Sequence, residues 1–377
     1  MKKEEKQEFK VTPWEVSGEV DYERLIKEFG IEKLNEKLLE RIKKHTGELH
    51  PMLKRKVFFA HRDLNWLLDE YEKGNKFFLY TGRGPSGKIQ LGHLQTWYFT
   101  KWLQDKFNIE LWFQFTDYEK FLFKDKSFEE IQDWTKDNIL DVIAVGFDPK
   151  KTHFLIDTWH AGLMYPEAVK FAKKITFSTV KAAFGFNDSY NIGSIFYTSM
   201  QAVPAIIPSV LKKKNIPCLI PLAIDQDPHF RVARDVYPKL GYYKPSIIHG
   251  MFLPPLTGTE GKMSSSEESS AIFSIDSPEE VKKKINKYAF SGGKDTLEEH
   301  RKLGGNPDID VSFQYLKMFF EPSDEKLAKI EKDYKSGKLL SGELKAILIE
   351  KINSFLKEHQ KKREEAKKNI DKFIFKN

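Results

Sequence analysis

Cysteine is nearly missing. The 377 residues contain one, Cys218, which excludes an intrachain disulfide and any site built from several thiolates. Cys218 lies in the apolar run from Ile216 to Ile224, so it is expected to pack as a small buried hydrophobe rather than act as a nucleophile. No uninterrupted apolar stretch approaches the ~20 residues that span a bilayer. The N-terminal MKKEEKQEFK has no apolar core and is too acidic for a transit peptide. The expected compartment is the reducing cytoplasm, with no membrane partner. Internal repeats are absent as well. Acidic residues are outnumbered, 55 against 62 Lys and Arg, leaving a net charge of +7. That excess suits a polyanionic partner such as nucleic acid, but it also occurs in any lysine-rich chain.

With 40% hydrophobic and 31% charged residues, the composition is that of a folded globular protein, and the length favours two domains over one. Residues 1–75 read as an N-terminal appendage, partly helical, with an apolar helical pattern from Asp21 to Lys44 and a shorter one from Asn65 to Glu72. Residues 76–276 then alternate short apolar runs with amphipathic ones. Strands are expected at 77–80, 111–115, 216–224 and 247–252, and helices at 94–107, 128–145, 165–184 and 230–240. Strands separated by helices predict an α/β domain with a Rossmann-like parallel sheet. After the Ser-rich stretch 264–270, Ser277-Pro278-Glu279-Glu280 provides an N-cap, a proline at the first helical position and a glutamate at N3. Helical patterns alone follow, so residues 277–377 read as a C-terminal all-helical domain.

The stretch GRGPSGKIQLGH, Gly82 to His93, follows a strand and precedes a helix. Up to Lys88 it fits the start of a P-loop, which next requires a Ser or Thr hydroxyl for Mg²⁺. Ile89 stands there instead. Pro221 would also interrupt the central strand leading to Asp225, and a P-loop leaves Gly92-His93 unexplained. The alternative is a loop whose glycines admit ATP to the backbone, with Gly92 and His93 facing phosphates at the next helix N-terminus. KMSSS, Lys262 to Ser266, lies further along after an α/β stretch of suitable length.

The Q-L-G-H and K-M-S-S-S pair resembles the two signatures of class I aminoacyl-tRNA synthetases. YTGRGPS (80–86), QFTDYEK (114–120), AIDQDPHFRVARD (223–235) and AFSGGKDTLEEHRKLGGNPDIDVSF (289–313) are similar to the tryptophanyl-tRNA synthetases of eukaryotic and archaeal type, and the likeness runs from about Val11 onward. The resemblance implies an ATP-dependent ligase that forms tryptophanyl-adenylate and then charges tRNA(Trp), working as a homodimer. A phosphate-closing role falls to Lys262, with Met263, Ser264, Ser265 and Ser266 on the same loop. Gly82, Arg83, Gly84, Gly92 and His93 would line the ATP site, and Mg²⁺ would travel with ATP rather than sit in a protein cage, so no metal ligands are expected. Tyr80 and Gln114 would meet the indole N–H. Glu119, Gln201 and Gln226 would surround the amino acid's α-amino and carboxylate groups.

One position departs from the signature. Gln90 stands where the family has histidine, and an amide cannot carry positive charge, so slow adenylation or a catalytically weak binding homologue is the alternative reading. Tyrosine as substrate is disfavoured, because Tyr197 and Gln201 are followed by Pro204 where tyrosyl enzymes place an acidic acceptor. Asp227 reads as a helix N-cap, His229 and His249 as ordinary histidines, and Lys120 equally as a pocket residue or a solvated one.

Overall fold

The computed structural model describes residues 10–11, 16–17, 20–263, 269 and 271–376. Strands β1 (Lys10–Val11) and β2 (Val16–Ser17) pair antiparallel by themselves. Seven more strands make one sheet: β3 (Glu32–Lys33), β4 (Phe58–Arg62), β5 (Phe78–Arg83), β6 (Leu111–Phe115), β7 (Thr152–Ile156), β8 (Cys218–Ala223) and β9 (Ser246–Gly250). Their order is β3-β4-β9-β8-β5-β6-β7. From β9 to β7 all pairings are parallel. Helices cover both faces, which is why β6 is buried at every residue and reads as an apolar run rather than an alternation.

The chain leaves β5 toward β6 and β7, then returns on the other side of β5 as β8. Strand order therefore reverses between β5 and β8, where an open α/β sheet forms its crevice. The two strands pair only at Phe78–Cys218 and Leu79–Leu219. β5 stays paired with β6 as far as Arg83, and β8 with β9 as far as Ala223. Beyond Leu79 and Leu219 the centre of the sheet splits.

That split accounts for Pro221, which lies within the strand expected over 216–224 without the broken ladder its missing N–H was expected to cause. Its carbonyl faces β5, where Thr81 Oγ1 donates to it at 3.4 Å. In a strand a residue's N–H points to the same side as its carbonyl. The missing donor thus faces the gap and breaks no ladder.

The segment set aside as an appendage contributes β3 and β4 to the sheet's antiparallel edge. Phe58 of β4 stacks on Phe99 with ring centroids 3.8 Å apart. The helix expected over 165–184 is two helices, Ala161–Ala172 and Phe177–Phe184, the second capped by Thr176 Oγ1 accepting from Thr179 N–H. The 230–240 pattern is likewise a helix, Asp227–Arg234, followed by the 3₁₀ turn Tyr237–Leu240. By composition the stretch Ile192–Lys212 is long and apolar enough to cross a membrane, but 72% of its apolar 18-residue window is buried inside this fold.

After Ser277, whose capping box with Glu280 forms as expected, the chain is helical. Val281, Ile285, Leu344, Leu348 and Ile352 are fully buried, yet they share one core with Leu91, Phe99 and Val142 of the helices Leu91–Phe107 and Phe128–Ala144. The long helix Ser341–Ala366 lies along Phe128–Ala144, fastened by Asp141, which accepts from His359 Nε2 at 3.0 Å and Arg363 Nε at 3.1 Å. Beyond it the chain runs beside β7: Phe154 N–H donates to Phe373 O and Phe375 N–H to Phe154 O.

Candidate active site

The split between β5 and β8 opens onto the carboxyl ends of the central strands, and polar side chains converge there. Tyr80 comes from β5, Gln114 from β6, and Asp157 from the residue after β7. The helix Ile192–Met200 brings Tyr197, with Gln201 one residue beyond. All five join in one chain. The Tyr197 hydroxyl donates to Gln201 Oε1 at 2.7 Å, and Gln201 Nε2 to the Tyr80 oxygen at 3.1 Å. Tyr80 donates to Gln114 Oε1 at 2.5 Å. Gln114 Nε2 then donates to Asp157, 2.9 and 3.1 Å from its two oxygens. Gln114 is wholly buried. Burial raises the Tyr80 hydroxyl well above its usual range. It raises the Asp157 carboxyl too; the Gln114 amide opposes this, while Asp117 and Glu119 nearby reinforce it.

Glu119 begins the short helix Glu119–Phe123 at the pocket's rim. Thr116 Oγ1 and Lys120 Nζ donate to it at 3.0 and 2.7 Å. Burial opposes its ionisation, but Lys120, His229 and the Thr116 hydroxyl together hold its carboxyl below the usual range. Lys120 is therefore an ion-pair partner and not a solvated lysine. Gln226 sits half-buried at the turn between β8 and the helix Asp227–Arg234. Pro204, at the position where an acidic residue would accept a phenol, is buried in a 3₁₀ turn.

The loop after β5 forms the other end of the cleft. Ile89, at the hydroxyl position of a P-loop, is fully buried in the core, and Lys88 reaches over the Phe273 ring. Two glycines have local reasons. A Cβ on Gly82 would stand 2.9 Å from Gln114 O, and one on Gly84 would collide with the Glu119 carboxylate. Small size at both positions lets the amino-acid pocket close against β5. Gly92 lies in the first turn of the helix Leu91–Phe107, beside His93.

His93 Nδ1 accepts the Gln90 backbone N–H at 3.2 Å, and Arg83 Nη1 lies 3.0 Å from Nε2. Burial first, then Arg83, Lys262 and Lys120, drives its pKa far down, so the ring is neutral. Burial also lowers the Arg83 guanidinium to about 10, with Glu119 and Asp141 opposing. Gln90 is buried as the N-cap residue of the helix and bridges to Phe273.

Lys262 comes from across the gap, its Nζ donating to Asp225 Oδ2 at 2.6 Å and lying 5.9 Å from the Phe252 ring centre. Met263 beside it is buried; Ser264, Ser265 and Ser266 fall outside the described residues. Asp227 is not a capping side chain. It is fully buried and accepts from Arg62 Nε and Nη2 at 2.8 and 2.7 Å and from His249 Nε2 at 2.8 Å. Among the described residues there is no cluster of three or more His, Cys, Asp or Glu able to hold a metal ion.

Sequence reasoning missed Asp157. Its one signal was an acidic residue ending the short apolar run HFLI, at the carboxyl end of a strand that the sequence reading had not recognised.

Comparison with known proteins bears on this site. A sequence model described as tRNA synthetases class I (W and Y) matches residues 72–357. A curated tryptophan–tRNA ligase of Sulfurisphaera tokodaii is 56% identical over 371 residues, covering 98% of this chain and 96% of that protein. One from Sulfolobus acidocaldarius is 54% identical with the same coverage. Among solved structures, a tryptophanyl-tRNA synthetase of Plasmodium falciparum superposes with a TM-score of 0.88 at 43% identity, covering 94% of this chain and 95% of that one.

Proposed function

The chain belongs to the class I tRNA synthetases of the W and Y family, and from that membership we propose how its cleft joins tryptophan to tRNA(Trp) at the cost of ATP. The tryptophan carboxylate attacks the α-phosphorus of ATP, the bond to the bridging oxygen breaks, and pyrophosphate leaves. A ribose hydroxyl of the tRNA then attacks the adenylate carbonyl and releases AMP. Phosphoryl chemistry of this kind needs positioning and charge stabilisation more than covalent help.

The observation that carries the reading is the pairing of two unlike ends in one cleft: the buried Tyr80–Gln114 couple, and the cationic Lys262 facing His93 across the split sheet. Gln114 and Tyr80 take the indole N–H. Glu119, Gln201 and Gln226 surround the α-amino and carboxylate groups. Lys262, with Ser264 to Ser266, closes on the β- and γ-phosphates, while Arg83, Gly92 and His93 face the nucleotide from the helix N-terminus. Mg²⁺ enters with ATP.

Gln90 does not disqualify the site. The neighbouring His93 is neutral, so a second histidine in the same surroundings would also lack charge, and an amide replaces it donor for donor. Residues from 277 onward supply the anticodon-binding helices. The protein acts in the cytoplasm as a homodimer; the exposed Tyr165, whose ring lies 5.9 Å from that of Phe196, and the exposed Ile192 (84% accessible) support a self-association face at the helix Ile192–Met200. The test is ATP–pyrophosphate exchange with tryptophan, with tyrosine and with neither. Exchange driven by tryptophan alone supports the reading, exchange with tyrosine redirects it, and tryptophan binding without exchange leaves a binding homologue.

A further inference from the structure

The hydrogen-bond chain in the amino-acid pocket has a direction, and one residue fixes it. Gln114 has a donor end and an acceptor end, and the two can be exchanged by turning the amide over. Tyr80 and Gln201 are equally reversible, since a hydroxyl both donates and accepts and a second amide can also turn over. As a carboxylate, the form that the Gln114 amide favours against the upward push of burial, Asp157 supplies only acceptor oxygens to the last donor of the chain. With Gln114 Nε2 held there, Oε1 must face Tyr80 and the pocket. The Tyr80 proton then goes to Oε1, its lone pair to Gln201 Nε2, and Gln201 Oε1 to the Tyr197 hydroxyl. Tyr80, Gln114, Tyr197 and Asp157 are buried and Gln201 is partly so, so at Gln114 no water is at hand to compensate a reversed link.

We propose that Asp157, which no sequence motif singles out, is the positioning residue that sets this polarity and so makes the pocket select an indole N–H. The inference rests on the tryptophan reading above. An indole N–H only donates and needs an acceptor; reversing Gln114 would present two N–H donors to it instead. Asp157 itself is held from outside the pocket. Its backbone N–H donates to Phe115 O at 3.1 Å, and the next residue, Thr158, donates its N–H to Asp117 Oδ1 at 3.0 Å. The backbone at Asp157 is thus anchored to β6, which fixes the point from which its carboxyl reaches Gln114.

The test compares tryptophan with β-(3-benzothienyl)alanine, which keeps the bicyclic shape but has sulfur in place of the N–H. An amide at position 157 can donate as well as accept, so Asp157→Asn lets the chain run either way. The ratio of kcat/KM for tryptophan to that for the thienyl analogue is expected to fall about tenfold in Asp157→Asn, through KM for tryptophan. Exchange with the analogue itself should stay within about threefold of the parent, which also reports an intact fold. Asp157→Glu, retaining an acceptor, should recover part of the ratio. An unchanged ratio, or a parallel loss with both substrates, overturns the inference while leaving a tryptophan-dependent parent enzyme intact. A parent enzyme that exchanges without tryptophan dependence overturns the functional reading and this inference with it.

Discussion

The amino-acid end of the cleft satisfies its own polar groups, whereas the nucleotide end is held at its rim by one ion pair. Tyr80, Gln114, Gln201, Tyr197 and Asp157 form one continuous chain at the carboxyl ends of the strands, each polar group answered by a neighbour. Breaking any link leaves a buried group unpaired, which costs about 1–3 kcal/mol. Lys262 and Asp225 make a different bond. The lysine side chain is 31% accessible, so water screens the pair and softens the loss when the ammonium changes partner. Selection needs a fixed arrangement; phosphoryl transfer needs a charge that can follow the phosphates. One split sheet supplies both.

The sharpest way to separate the ends is Lys262→Ala. Adenylation kcat should fall roughly 10²–10³-fold, with KM for tryptophan within about threefold of the parent. A comparable rise in that KM would show the two ends to be coupled. Gln114→Ala attacks the opposite end: kcat/KM for tryptophan should fall about 100-fold, mostly through KM, with ATP KM little changed. The same variant should melt at lower temperature, since Asp157 and Tyr80 lose their partner.

A smaller effect tests the one irregular signature position. Gln90→His should alter the exchange rate by no more than about threefold, because burial and Arg83 keep even the resident His93 uncharged. A larger gain would mean that position 90 does carry charge when substrate is bound.

The smallest effect concerns pH and two buried histidines. Burial lowers His50 and His229 from their usual 6.5 to about 4. Between those values the unfolded chain takes up protons that the folded one refuses. Stability is therefore full above about pH 6.5 and declines toward pH 4, by at most about 1.4 kcal/mol per pH unit for each histidine. His50 Nδ1 also accepts the Met52 N–H at the start of the helix Pro51–Lys54. His50→Asn keeps such a cap and removes the titration, so denaturant melts between pH 6.5 and 4 should show a shallower decline.

Much of this was legible in the residues. Gln114 stood out as the lone amide in Leu-Trp-Phe-Gln-Phe, where an unpaired polar group would be costly, and KMSSS singled out Lys262. The parallel sheet followed from its apolar runs. Other features depend on where the chain returns in space. Pro221 looked like a strand breaker because nothing in sequence says that β5 and β8 diverge beside it. Asp227 looked like a cap because Arg62 and His249 lie far away in sequence. β4 was missed because FFAHR is short and its neighbour is β9, and the shared core of the C-terminal helices was hidden because an amphipathic pattern does not say what its apolar face meets.

The strip from Phe373 to Phe375 along β7 has a consequence in time. His160 Nε2 is 2.9 Å from Phe375 O, a contact spanning 215 residues, and the same strip occupies β7's outer hydrogen-bonding edge. On the ribosome, β7 is therefore made long before the segment that covers it. At roughly 5–20 residues per second, that edge stays bare for some ten seconds or more in every newly synthesised copy. An uncovered strand edge is a template for pairing with another chain. Nascent copies are thus most vulnerable to association late in translation, and shielding of β7 during that interval would decide how many reach the folded state.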